Sequence, residues 1–210
     1  LAVKLYDRLF AALYDRTLAV TEEAGLADRR RELLAGLTGS VLEIGAGTGA
    51  NLEHYPEGIE RLVLTEPSPA MASKLHEHLQ RISSDALVVN APADALPFDD
   101  GSFDFVVSTL VLCTVPDIDR ALAEIRRVLA PGGQLLMIEH VRSDDPGRAK
   151  WQDRLELPWR IFGNGCHCNR ETERIVLASG FTFSELEHSK MRKAPPIVRP
   201  LIQARAELAA

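Results

Sequence analysis

The stretch Val41-Leu42-Glu43-Ile44-Gly45-Ala46-Gly47-Thr48-Gly49-Ala50-Asn51 constrains this chain more than any other. A short apolar run carrying one acid gives way to three glycines on alternate residues. The run predicts a parallel strand buried on both faces. The glycines predict a tight turn feeding a helix whose N-terminus can receive a ligand. A second acid, Glu66, closes the next apolar run, where a ribose-binding carboxylate would sit. Together these residues point to an adenosine-containing cofactor.

The rest of the chain fits such a frame. Leu5, Leu9, Phe10, Leu13 and Leu18 recur at helical spacing from Val3 onward, Gly25 breaks the run, and a second helix is expected over Ala27–Leu37. Arg29, Arg30 and Arg31 read as its solvated face. Beyond Gly39, strands are expected at Val41–Ile44, Leu62–Leu64, Leu87–Val89, Phe103–Val107 and Gln134–Ile138. Helices are expected near Asn51, at Pro69–Arg81 and at Asp119–Leu129. Pro131-Gly132-Gly133 reads as a turn entering the fifth strand. A helix over Arg170–Ala178 and strands near Phe181–Glu187 and Leu201–Leu208 complete the pattern.

Alternation of this kind predicts an α/β fold: a Rossmann-like, seven-stranded, mostly parallel sheet with helices on both faces and an N-terminal helical lid. At 210 residues one domain is expected. Within it, 1–38 would be a helical cap, 39–142 the cofactor-binding core, 143–169 a lid-like insertion, and 170–210 the C-terminal helix and strands.

Composition narrows the partners. A net charge of -6 argues against a general affinity for nucleic acid. Three cysteines, Cys113, Cys166 and Cys168, suggest no disulfide framework and a reducing, cytoplasmic setting. No apolar stretch reaches the length of a membrane span and no secretory signal is visible. The chain begins at Leu1 rather than Met, which leaves an upstream segment open.

Gly45, Gly47 and Ala50 formally satisfy a dinucleotide pattern. Two features pull away from it. Glu43 is an anion near the expected path of a pyrophosphate, where it would repel, whereas beside the ammonium of an amino-acid moiety it would attract. Gly49 adds a third close approach of backbone. Glu43–Gly49, Glu66, Asp94-Ala95-Leu96-Pro97-Phe98, Phe103-Asp104 and Leu129–Gly133 together resemble the type 11, UbiE-like group of class I S-adenosylmethionine (SAM) methyltransferases. A narrower resemblance runs over nearly the whole chain. Thr109–Cys113, Met137–Val141, Gly165-Cys166 with Arg170-Glu171-Thr172, and Val198-Arg199-Pro200 are similar to the methyltransferase-like seven proteins, thiol methyltransferases of membrane surfaces. This chain departs from the animal members in opening on an amphipathic helix instead of an apolar anchor. It also carries Glu66 where they have Asp.

The resemblance implies cofactor roles for Glu43, Gly45, Gly47, Gly49, Glu66 and Asp94, the last on the adenine amine. Ala46, Asn51, Pro67, Ala93, Ala95, Thr109 and Leu110 complete the candidate cofactor contacts. Asp104 reads as structural. Cys166-His167-Cys168 lacks the spacing and second ligand pair of a zinc site, so no metal is expected. His140 ends the fifth strand and could serve as a base or as an orienting, packed histidine.

The expectation is a SAM-dependent methyltransferase of a small molecule, an apolar thiol first. N-, O- or C-methylation of a phospholipid, phenol or quinone is the alternative. A non-catalytic cofactor-binding protein or a dinucleotide oxidoreductase is the rival from another class. Tyr6, Phe10, Tyr14, Trp151, Trp159 and Phe162 are candidate walls for the acceptor, and peripheral membrane contact is left open.

Overall fold

The computed structural model describes the backbone of residues 2–209 and the side chains of 11–209. The apolar runs become strands because they must be buried on both faces. In β1 (Gly39–Ile44), Val41 packs with Leu34 and Leu37 on one side, while Leu42 and Ile44 pack with Leu122 and Ile125 on the other. Successive side chains point to opposite faces of a strand, so a continuous hydrophobic run fills both layers.

The remaining strands are β2 (Ile59–Thr65), β3 (Leu87–Val89), β4 (Phe103–Thr109), β5 (Leu129–His140), β6 (Phe181–Lys190) and β7 (Pro200–Leu208). The sheet order is β3-β2-β1-β4-β5-β7-β6. The first five strands pair in parallel, and β7 runs antiparallel to both β5 and β6. The order reverses between β1 and β4, so a crevice opens at their carboxyl ends, where α/β sheets bind ligands.

The helices are α1 (Ala2–Thr21), α2 (Ala27–Leu34), α3 (Pro69–Ile82), α4 (Ile118–Val128), α5 (Pro146–Phe162) and α6 (Thr172–Ala178). Gly25, at φ +124°, makes the break between α1 and α2. Helix α4 shows how sequence specifies packing. Asp117 caps it by accepting from the Arg120 amide, and Ile118, Ala121, Leu122, Ile125 and Val128 form its buried stripe. Asp104 is structural, as expected: its Oδ2 accepts from the Ser40 amide at 2.8 Å, tying the starts of β4 and β1 together.

Four expectations change. Only a single 3-10 turn, Leu52–His54, succeeds the glycines, so no long helix presents its N-terminus there. Pro131–Gly133 lies inside β5, as a bulge between the pairs Phe103–Leu129 and Phe105–Gln134. The segment expected as an irregular insertion contains a 17-residue helix, α5, started by Pro146 and capped by Asp145. Arg30 is 2% exposed and leaves the solvated face, whereas Arg31 stays on it. Among the described residues no helix is long and apolar enough to cross a membrane.

Candidate active site

The loop after β1 sorts its glycines by what a side chain would meet. A Cβ on Gly45 would strike Val111 at 2.7 Å, and one on Gly49 would strike Leu52 at 2.6 Å. Nothing lies within 4 Å of the corresponding point on Gly47. All three have positive φ. Gly45 and Gly49 are therefore demanded by internal packing, while Gly47 faces open space. Ala46 is buried and hydrogen bonds to Thr65 through its amide.

Glu66 comes directly after β2 and closes over this loop. Its Oε2 accepts from the Gly47 amide at 2.9 Å and its Oε1 from the Ser68 amide at 2.8 Å. Burial raises its carboxyl above the usual range, and the two amides oppose that rise. Pro67 is exposed, and its carbonyl, like that of Glu66, accepts from the Asn90 amide side chain. Ala93 is buried, Asp94 half-buried and Ala95 exposed beyond β3. Asp94 borders a shallow depression of about 380 Å³ with Leu96, Arg120 and Glu124. A larger groove of about 640 Å³ runs along β6 and β7 beside Gln134, toward the start of β5, and includes none of the strand-end loops.

Glu43 lies under the loop, 2% exposed. Its carboxylate accepts from Asn51 Nδ2 at 2.9 Å and from the Tyr55 hydroxyl at 2.7 Å. Burial outweighs those bonds and pushes its pKa up to about 7. The network continues through buried polar groups. Asn51 Nδ2 also donates to Thr109 Oγ1, and the Arg30 guanidinium donates to Asn51 Oδ1 and Thr109 Oγ1, both at 2.9 Å. Glu22 pairs with Arg30 from the other side. An arginine from α2 thus joins the ends of β1 and β4.

The other side of the crevice is built on β4 and β5. Leu110, directly after β4, is held at φ +60°, a conformation that costs a non-glycine residue about 1–2 kcal/mol. Glu139 secures the loop beyond it: its Oε1 accepts from Ser108 Oγ and from the Val111 and Leu112 amides. Arg170 grips the same loop through the Leu112 and Val115 carbonyls.

His140, the last residue of β5, meets Cys166 there. The distance from His140 Nε2 to Cys166 Sγ is 3.0 Å, and Trp159 Nε1 donates to the same sulfur at 3.0 Å. Cys113 completes the cluster; its sulfur, the Cys166 sulfur and a ring nitrogen of His140 lie within 4.8 Å of one another. Cys113, His140 and Trp159 donating to one sulfur pull the Cys166 thiol down to about 5, against its burial. Burial lowers the His140 pKa, but the Cys166 sulfur and Glu139 more than offset this, so the imidazole stays above its ordinary value.

A methyltransferase-domain family model matches residues 42–137. Human thiol S-methyltransferase TMT1A is 34% identical over 84% of this chain and 77% of its own length. Human TMT1B is 36% identical over 82% of this chain and 73% of its own length. The chain belongs to the class I SAM-dependent methyltransferases. A solved SAM-dependent methyltransferase from Thermotoga maritima has the same fold, with a TM-score of 0.70 at 24% identity over 95% of this chain and 96% of that one. SAM is accordingly the cofactor of this methyltransferase, and its acceptor is a small molecule.

The structure of this methyltransferase gathers Glu43, the three glycines, Asn51, Glu66, Thr109 and Leu110 at the strand ends, with Asp94 at the far side. Arg30 and Glu139, both buried, and the half-buried Tyr55 are polar members that local sequence does not assign to the site. Of the aromatics, Trp159 turns inward to Cys166, whereas Trp151 and Phe162 are 55% and 75% exposed and do not wall the crevice. The side chains of Tyr6 and Phe10 lie outside the described residues. Cys168 and His167 part company with Cys166: Cys168 faces the Gln152 carbonyl and His167 pairs with Glu156 at 2.8 Å.

Proposed function

We propose that this methyltransferase moves the methyl group of SAM to the sulfur of a small apolar thiol. The observation that carries the reading is similarity to thiol S-methyltransferases along more than four-fifths of the chain. Within it, Glu66 takes the ribose hydroxyls and Asp94 the adenine amine. Gly47, on its open side, lets the cofactor approach the backbone, with Gly45, Ala46 and Gly49 shaping the loop. Glu43 faces the ammonium through the Asn51 network. Pro67, Ala93, Ala95, Thr109 and Leu110 supply flanking contacts. Residues 39–142 hold the cofactor, 1–38 cap it, 143–169 close over the acceptor, and 170–210 complete the sheet.

The sulfonium already activates the methyl group. The protein must align the attacking sulfur with the methyl–sulfur bond and exclude water. A thiol loses its proton near pH 8.5 unaided, so it asks little of a base. That suits a crevice whose titratable groups are already engaged: Glu43 with Asn51 and Tyr55, Glu139 with the β4 loop, His140 with Cys166. A sulfur held near a pKa of 5 is also a weak base toward such a thiol.

Two finer readings belong to the same proposal. The three buried free thiols suit a cytoplasmic setting. Exposed Trp151, Leu155 and Leu157 on α5, with Arg154 stacked 5.4 Å from the Trp151 ring, support a peripheral contact with a membrane surface. The deciding assay is methyl transfer from labelled SAM to thiols, phenols and amines of matched size. Thiols should be turned over best; turnover of phenols with none of thiols would overturn the thiol reading and leave the methyltransferase.

A further inference from the structure

Cys113, His140 and Cys166 come from three separate elements, yet their ligating atoms converge within 4.8 Å of one another, and all three residues are buried. Tetrahedral zinc, at about 2.3 Å from sulfur and 2.0–2.1 Å from nitrogen, places its ligand atoms about 3.5–3.8 Å apart. The His140–Cys166 distance of 3.0 Å needs to open by only about half an ångström to meet that spacing. We propose that Cys113, His140 and Cys166 bind one zinc-class metal ion at the acceptor side of the crevice, leaving its fourth position open.

The frame around the three residues is fixed before any metal arrives. Cys113 sits in the loop clamped by Glu139 and Arg170. His140 terminates β5 and is held in register by β7. The His167 amide donates to the Cys113 carbonyl at 2.8 Å, so the Cys166 segment is fastened to the Cys113 segment by backbone. Trp159 Nε1–H donates to the Cys166 sulfur at 3.0 Å, and such a donor steadies a metal-bound thiolate. Two thiolates and one imidazole favour zinc over the hard cations magnesium and calcium.

Cys166-His167-Cys168 is a misleading unit in this respect. Only Cys166 joins the cluster, and its partners come from the ends of β4 and β5. Three protein ligands are the pattern of zinc sites that keep a position for an exogenous ligand. Resting on the thiol reading above, that ligand is the acceptor. R–SH would bind as R–S⁻ and release its proton to solvent. Its sulfur would then take the methyl of SAM, giving a neutral thioether, a weaker ligand that departs, and S-adenosylhomocysteine.

The test uses the full chain, untagged and kept reduced. Zn²⁺ is titrated against a chromophoric chelator, and Co²⁺ substitution is monitored by its thiolate charge-transfer and tetrahedral d–d bands. The wild-type protein should bind one equivalent. Cys113→Ser, Cys166→Ser and His140→Asn, each verified as folded by circular dichroism, should weaken binding at least a hundredfold, and Cys168→Ser should leave it unchanged. Absence of stoichiometric binding by the reduced wild type would overturn the site, leaving a hydrogen-bonded thiol cluster. So would binding that survives Cys113→Ser combined with Cys166→Ser. Thiol turnover is measured in parallel. Metal binding without thiol turnover keeps the site and removes the thiol acceptor; full turnover by metal-free enzyme removes the role of the open position.

Discussion

Cofactor binding should release a proton from Glu43, and Glu43→Gln should abolish that release. Burial holds the free carboxyl at a pKa of about 7. An ammonium group brought beside it would favour the charged form and pull the pKa back toward about 4.3. At pH 7 about half of the free protein carries the proton, and almost none of the complex does. About 0.5 proton then leaves per cofactor bound, rising to about 0.9 at pH 6 and falling toward zero above about pH 8. Titration calorimetry with S-adenosylhomocysteine, in buffers of different ionisation enthalpy, reads this number directly.

The same group has a signature in the free protein. A folded pKa raised above the unfolded one stabilises most at low pH, and that contribution is lost as pH climbs from 4.5 through about 7. The rise corresponds to about 3 kcal/mol between the two limits. Glu43→Gln should flatten this part of the stability profile. Buffer-independent binding enthalpies in the wild type, or equal proton release in the Gln variant, would refute the ammonium assignment.

Glu66→Ala should weaken S-adenosylhomocysteine at least tenfold by titration, because one charge-assisted hydrogen bond is worth about 1.5–3 kcal/mol. Gly47→Val should abolish binding yet still fold, its cost in denaturant melts being the strain of a φ near +59° in open space. Gly49→Val should be markedly less stable than Gly47→Val, because its side chain meets Leu52 at 2.6 Å and Leu75 at 2.9 Å. Arg30→Ala should cost about 1.5–3 kcal/mol in the same melts, since buried Asn51 and Thr109 lose a charged donor and half-buried Glu22 its cation.

Local pattern carries the strands, the glycine turn and Glu66, because each is specified within a few residues of sequence. Residues whose roles depend on distant partners are harder to read. Arg30 looks like its neighbours Arg29 and Arg31 in sequence; only the arrival of Glu22, Asn51 and Thr109 gives it a buried function. Cys166 invites comparison with Cys168, its neighbour in sequence, whereas its true partners stand at the ends of β4 and β5. Helix α5 is hidden because Pro158 and the Gly163-Asn164-Gly165 turn resemble loop signals, while its start rests on an Asp145 cap and Pro146. The 3-10 turn over Leu52–His54 shows the converse error. Three glycines dictate a bend in the chain, yet they carry no information about the length of the helix beyond that bend.

Asp15, in α1, hydrogen bonds Thr48 of the glycine loop at 2.6 Å through one carboxylate oxygen and pairs with Lys74 of α3 at 2.9 Å through the other. One exposed carboxylate thus latches the first helix across the glycine loop, where the cofactor is proposed to bind. If that loop holds the cofactor, exchange of spent cofactor should include an unlatching step, distinct from methyl transfer itself. Exposed ion pairs loosen as salt screens them. Residence of S-adenosylhomocysteine should therefore shorten with ionic strength, and Asp15→Asn should shorten it at low salt while removing much of that dependence. In an enzyme limited by product release, the speed of the whole cycle would be set by a residue that touches neither methyl donor nor acceptor.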